Sequence, residues 1–270
     1  MIPSSEASVP EGDRAGSAAT ATYMYAVSRG LLPGDLEQVR GIDEQPLRLV
    51  GHEDLVAVVS TVTLAAFGEE GLRRNLEDLG WLARTARLHD SVVQAASVSA
   101  PTAPLRLATV IHDDDGVRLR LREWHAELTR VLDRVDGCGE WSVKVLAPPA
   151  SNEPGDAAAE RPVSGAEYLR RKKAENLQRL EADARASETA RLVHERLAEA
   201  SRDSRQMPAQ DPRLSGHQGA MVLNAAYLVP DEGATQFAEL VATLVAEHSE
   251  VAIDSRGPWP PYSFAMLDDR

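Results

Sequence analysis

Apolar positions along this chain repeat with two periods, and the period changes in blocks. Residues 23–27, Tyr23-Met24-Tyr25-Ala26-Val27, form a short strand-like run. Residues 47–50 and 55–60 are two more apolar runs, joined by Gly51-His52-Glu53-Asp54, and that pattern predicts a β-hairpin. Leu72, Leu76, Leu79, Leu82, Ala86, Val93 and Ala96 then follow helical spacing, which predicts one long helix over residues 70–98, ended by Pro101 and Pro104. Residues 105–111 are rich in β-compatible side chains and predict a strand. Asp113-Asp114-Asp115-Gly116 comes next, where a carboxylate can cap the free N–H groups of a helix start. The helix it heads is expected over residues 117–135, with Leu121, Trp124, Leu128, Val131 and Val135 on one face.

Past Gly137-Cys138-Gly139 the order is different. Residues 140–146 predict a strand, and residues 147–163, with four prolines among alanines and acids, predict a mobile loop. From Gly165 to about Ser204, Leu169, Leu177, Leu180, Ala184, Val193 and Leu197 mark the apolar stripe of a long helix, or of two helices with a break. Residues 207–217 read as irregular. Residues 220–229 are apolar on both faces and predict a central strand, residues 232–248 a helix and residues 251–254 a strand. That order approaches a βαββαβ ferredoxin-like unit. The expected fold is therefore α+β in two domains. A disordered tail over 1–20 precedes a mixed α+β domain over 21–137. A ferredoxin-like domain with a long helical insertion follows over 138–270, with Gly137 and Gly139 as the hinge.

The densest local signal is Gly257-Pro258-Trp259-Pro260-Pro261-Tyr262-Ser263-Phe264. Each proline fixes its own φ and pushes the preceding residue toward an extended conformation. The segment reads as a stiff turn that delivers residues 262–267 into a final strand. The favoured reading plugs Trp259 into the core; the other makes Trp259, Pro260, Pro261 and Tyr262 a pre-ordered patch that docks a partner.

Composition narrows the function classes. Hydrophobic residues make up 43% of the 270 and charged residues 26%, as in a soluble globular protein. The net charge of −13 argues against general affinity for nucleic acid or an anionic membrane. The charge is uneven: residues 165–205 hold ten Arg/Lys against eight Asp/Glu. Within them, Arg170-Arg171-Lys172-Lys173 is the one basic run, and Arg170 and Arg171 are candidate contacts for an acidic partner. The N-terminus has neither the basic nor the apolar region of a signal peptide, and no window approaches a membrane-spanning helix.

Catalytic chemistry has little to stand on. The single cysteine, Cys138, can form neither an internal disulfide nor a cysteine zinc cluster, which fits a reducing cytoplasm. Placed at a helix C-terminus, its thiol pKa would be raised, so no reactive thiolate is expected. The seven histidines are scattered without an HExxH or an i, i+4 pair. The triple aspartate lacks EF-hand alternation and reads as a solvated cap. His89-Asp90 reads as a surface or packing pair rather than a catalytic dyad, and no phosphate loop is present. No catalytic residue, metal or cofactor is expected.

The octapeptide also carries a resemblance. GPWPPYSF near the C-terminus is similar to a signature of the GvpL/GvpF family of gas vesicle accessory proteins. The segments Tyr23-Met24-Tyr25-Ala26-Val27, Leu79-Gly80-Trp81-Leu82-Ala83-Arg84-Thr85-Ala86-Arg87-Leu88-His89-Asp90, Pro104-Leu105-Arg106-Leu107-Ala108-Thr109 and Glu140-Trp141-Ser142-Val143-Lys144-Val145 fit the family in the same order. The resemblance spans about residues 22–267. It implies two α+β domains and a non-enzymatic role in the cytoplasm and at the gas vesicle. The implied partners are the hydrophobic shell protein GvpA and other gas vesicle accessory proteins. Two alternatives stay open at this point: a minor structural component retained in the vesicle shell, and an enzyme of unknown type with an interdomain site.

Overall fold

A computed structural model of the chain describes residues 19–148, 165–209 and 219–265. The tail expected over 1–20 and the loop expected over 147–163 lie almost wholly outside the described residues, as do residues 210–217 of the segment read as irregular. The described elements are β1 (Thr20–Arg29), β2 (Arg48–His52), β3 (Leu55–Thr63), α1 (Leu64–Phe67), α2 (Glu69–Leu76), α3 (Leu79–Ser99), β4 (Thr102–Pro104), β5 (Val110–Ile111), α4 (Asp114–Val135), β6 (Cys138–Leu146), α5 (Gly165–Glu199), β7 (Asp203–Gln206), β8 (Met221–Pro230), α6 (Ala234–Glu247) and β9 (Ala252–Trp259). Helices and antiparallel sheets alternate, so the fold is α+β.

The strands make two sheets. The first runs β2-β3-β1-β4, with β5 also paired to β1. Its centre, β1, is buried on both faces because a layer covers each side. Tyr23 and Tyr25 face Val92, Val93 and Ala96 of α3. Met24 and Val27 face Val117, Leu121, Leu128 and Leu132 of α4. A register shift between Met24 and Ala26 marks a bulge in β1 opposite β3. The β2–β3 hairpin forms as the apolar pattern predicts, with Glu53 in the left-handed region at its turn.

The second sheet runs β7-β8-β6-β9, antiparallel throughout. Together with α5 after β6 and α6 after β8, that strand order is the βαββαβ arrangement read from the sequence. One face carries Val143, Val145 and Tyr227 against Ala190, Val193 and Leu197 of α5 and Phe237 and Leu244 of α6. The opposite face carries Ala226 and Leu228 against Val135 and Phe264.

Several boundaries differ from expectation. The helix expected over 70–98 is two, α2 and α3. Asp78 breaks it by capping α3, accepting from Gly80 N at 2.8 Å and Trp81 N at 3.1 Å. The strand expected over 105–111 survives only at its end. Residues 106–109 turn instead: Ala108 takes a φ of 64°, Thr109 Oγ1 donates to the Arg106 carbonyl at 2.7 Å, and the Tyr23 hydroxyl accepts from Ala108 N at 2.9 Å. The last strand runs further than residues 251–254, through Gly257 and Pro258 to Trp259. Residues 262–265 are a turn rather than a strand, because Phe264 N and Ala265 N both donate to the Pro261 carbonyl.

Candidate partner-binding surface

The GPWPPYSF segment lies on the edge strand β9 and the turn that follows it. Its prolines behave as the sequence requires: Pro260 and Pro261 are buried, and the chain leaves the sheet there. Glu140 of β6 fixes the turn. Its buried carboxylate accepts from Ser263 N and Ser263 Oγ, both at 2.7 Å. Burial raises the Glu140 pKa, and the two Ser263 hydrogen bonds oppose that shift. Tyr262 reaches to the first half of the chain, donating from its hydroxyl to Asp90 Oδ1 at 3.0 Å. Phe264 closes the core from the far side, with Arg134 5.4 Å over its ring. The Ser263 carbonyl accepts from Arg205 at 3.0 Å.

Held this way, Trp259 points outward. The expectation that it fills the core is corrected: 46% of it is exposed. As the last residue of an edge strand, with both following prolines buried, it has its backbone committed and its indole left outside. The indole borders a groove of about 390 Å³ lined by Ser97, Val98 and Pro101 after and at the end of α3, by Gly137 and Cys138, and by Pro258 and Pro260. Val98 is 78% exposed on the rim. Trp259, Pro260 and Pro261 are thus brought together on one groove, while Tyr262 turns away to Asp90 and lines a second, apolar pocket with His89, Leu105 and Leu107.

Arg170 and Arg171 stand elsewhere, on the first half of α5, and do not line the groove. Around them Tyr168, Leu169, Leu177 and Leu180 are all exposed, and Lys172 lies 5.9 Å over the Tyr168 ring. The apolar stripe read along this helix becomes core only from Ala186 onward.

The remaining chemical candidates have structural partners. Asp113 caps α4, Asp114 binds the Arg48 guanidinium at 2.6 Å, and Asp115 pairs with Arg118 at 2.8 Å. Arg48 and the Thr22 hydroxyl hold the Asp114 carboxyl below its usual range. Cys138 opens β6, and burial pushes its thiol up. His89 is buried, and its Nδ1 lies 3.0 Å from the Tyr23 hydroxyl. Burial lowers its pKa to about 4, against the opposing influence of the Leu105 carbonyl and Asp90. No described helix is long and apolar enough to cross a membrane.

Comparison with known proteins decides the family. The model of the gas vesicle synthesis proteins GvpL/GvpF matches residues 21–266. The chain belongs to the GvpL/GvpF family. It is 45% identical to gas vesicle protein L of Streptomyces sp. (strain CB03234), over 91% of this chain and 92% of that one. It is 27% identical to gas vesicle protein F of the same strain, over 90% and 98%. The crystal structure of GvpF from Anabaena sp. PCC7120 superposes with a TM-score of 0.67 at 18% identity, covering 93% of this chain and 98% of that one, a likeness of fold. GvpF from Microcystis aeruginosa gives 0.64. This GvpL/GvpF chain is therefore a gas vesicle protein, and its family is not one of known enzymes.

Among its residues, sequence reasoning found the octapeptide but misplaced its tryptophan. It missed Val98, which lies off the apolar stripe that ends at Ala96 and is exposed near the end of α3.

Proposed function

We propose that this protein is a non-enzymatic accessory factor of gas vesicle assembly that covers apolar surface of the shell protein GvpA in the cytoplasm, alongside other accessory proteins. One observation carries the reading: an exposed Trp259, pre-ordered by buried prolines, stands beside an exposed Val98 on a single groove. An aromatic anchor whose position is already fixed loses little conformational freedom on binding, so more of its burial appears as affinity. A small shell subunit with a large apolar face aggregates unless that face is covered. An acidic carrier with net charge −13 would also keep loaded complexes apart.

The test is a photo-crosslinker placed at position 98. It is expected to capture GvpA in cells that make gas vesicles, and the same probe at the exposed Leu119 of α4 is not. Equal capture at both positions, or none at position 98, contradicts the groove as the docking surface.

A further inference from the structure

His52, Glu53 and Asp54 are consecutive at the β2–β3 turn, and His125 lies 71 residues further on, within α4. Folding brings the four together. His125 Nε2 is 2.8 Å from Asp54 Oδ1 and 3.2 Å from Glu53 Oε2. His52 Nε2 is 3.8 Å from the other oxygen of the same carboxylate, Glu53 Oε1. The Glu53 carboxylate is thus bracketed by two imidazole nitrogens. One donor atom from each of Glu53, Asp54 and His125 falls within 4.8 Å of the others. The two imidazole rings stand edge to face, 6.3 Å between centres. They expose only 27% and 29% of their side chains, so their directions are set by packing, while the carboxylates remain open to solvent. Arg29, whose charge reaches Asp54, is itself tied to Asp133 at 2.7 Å.

We propose that His52, Glu53, Asp54 and His125 form a zinc site that clips the β2–β3 hairpin to α4. Two neutral imidazoles and two carboxylates are a donor set suited to Zn²⁺, which is four-coordinate and tetrahedral in structural sites. Ligand bonds of about 2.0–2.2 Å place donor atoms roughly 3–3.5 Å apart around the ion. Glu53, Asp54 and His125 already hold donor atoms at separations of 2.8 and 3.2 Å, whereas His52, 3.8 Å from Glu53 and outside the three whose donors all lie within 4.8 Å, must swing in as the fourth ligand. The carboxylates supply two negative charges to balance the ion. Oxygen-preferring Ca²⁺ and Mg²⁺ would gain little from the imidazoles, which distinguishes this site from a merely acidic turn.

The experiment uses untagged, metal-stripped full-length protein titrated with Zn²⁺ at pH 7.5 against a competing chromophoric chelator. One equivalent is expected to bind and to raise Tm. Affinity should fall at least tenfold in His125→Ala and in His52→Ala, each checked for native circular dichroism. It should be unchanged in Cys138→Ser, which removes the one thiol of the chain, and in His248→Ala, which removes the histidine paired with Glu250. Co²⁺ should give a tetrahedral visible spectrum without a sulfur charge-transfer band. At pH 5.5, binding should weaken, because protons compete with the metal for its ligands. Absence of saturable binding overturns the proposal. So does wild-type affinity in both folded histidine variants, or equal stabilisation by Mg²⁺.

Discussion

Acidification should destabilise this protein through one residue in particular, His89. Only 3% of it is exposed, and its ring packs against Tyr23 and Tyr25 at 5.8 and 5.6 Å. The Tyr23 hydroxyl accepts from Ala108 N, which leaves its own hydrogen for His89 Nδ1. Nδ1 is then an acceptor, the ring is neutral, and Nε2 has no well-formed partner among the described residues. A second proton would have to go on Nδ1, where the Tyr23 hydroxyl already points its hydrogen, and would bury a charge. The unfolded chain binds that proton near pH 6.5 and the folded chain only near 4. The folded pKa is depressed, so the stabilising contribution is complete above about 6.5 and is lost as pH falls from there to 4. A separation of that size corresponds to about 3 kcal/mol. Glu140 acts oppositely: its raised pKa favours the fold as pH falls. The wild-type curve therefore mixes these with other shifted groups, Asp114 and His194 among them, and the difference from His89→Gln isolates the histidine. Urea denaturation of both proteins at pH 7.5, 6.0, 5.0 and 4.0 should show the wild-type advantage shrinking by about 3 kcal/mol across the series. Parallel curves, or an NMR titration of the His89 ring above pH 6, would refute the reasoning.

Other outcomes follow from the same geometry. Tyr25→Phe removes a hydroxyl that lies 2.7 Å from Ser60 Oγ and accepts from Ile42 N at 2.8 Å, so urea denaturation should show a loss of about 1–3 kcal/mol. Gly257→Ala puts a Cβ 2.8 Å from the Glu140 carbonyl oxygen and 2.9 Å from the Trp141 ring, at a φ of 155°. It should lower stability by roughly 1–3 kcal/mol in the same assay, since neither neighbour is a flexible chain end. The division near Gly137 is a proposal motivated by a core in the second sheet that draws only on residues 141–253. Residues 138–270 made alone should unfold cooperatively in urea, and a featureless transition would count against the boundary.

Much of the fold was legible because local pattern and tertiary role agree. The β2–β3 hairpin, α4 and the βαββαβ order of the second half follow from period, capping and chain order. The errors have specific causes. Asp78 interrupts a stripe that reads as continuous helix, because a single side chain satisfying two backbone N–H groups outweighs the apolar period. Residues 106–109 have strand-compatible side chains, yet the distant Tyr23 hydroxyl stabilises a turn there. A large aromatic such as Trp259 reads as core from sequence; the burial of Pro260 and Pro261 beside it decides otherwise, and no sequence signal says which neighbour points inward. The His52–Glu53–Asp54–His125 group was illegible for a different reason. Histidine spacing along the chain detects ligands on one helix, and these meet only when the hairpin packs on α4.

The proposed docking of GvpA at the Trp259 groove is tested most directly by measuring GvpA affinity for wild type and Trp259→Ala, with the stability of each. Truncating a half-exposed anchor should cost roughly 2 kcal/mol or more of binding, about 30-fold in Kd. It should change the unfolding free energy by less than about 1 kcal/mol. Raising salt should weaken wild-type binding only a few-fold, because screening acts on exposed charges and leaves apolar contact in place. Unchanged GvpA affinity in a folded Trp259→Ala protein, or complete dissociation at moderate salt with folding intact, would contradict the account.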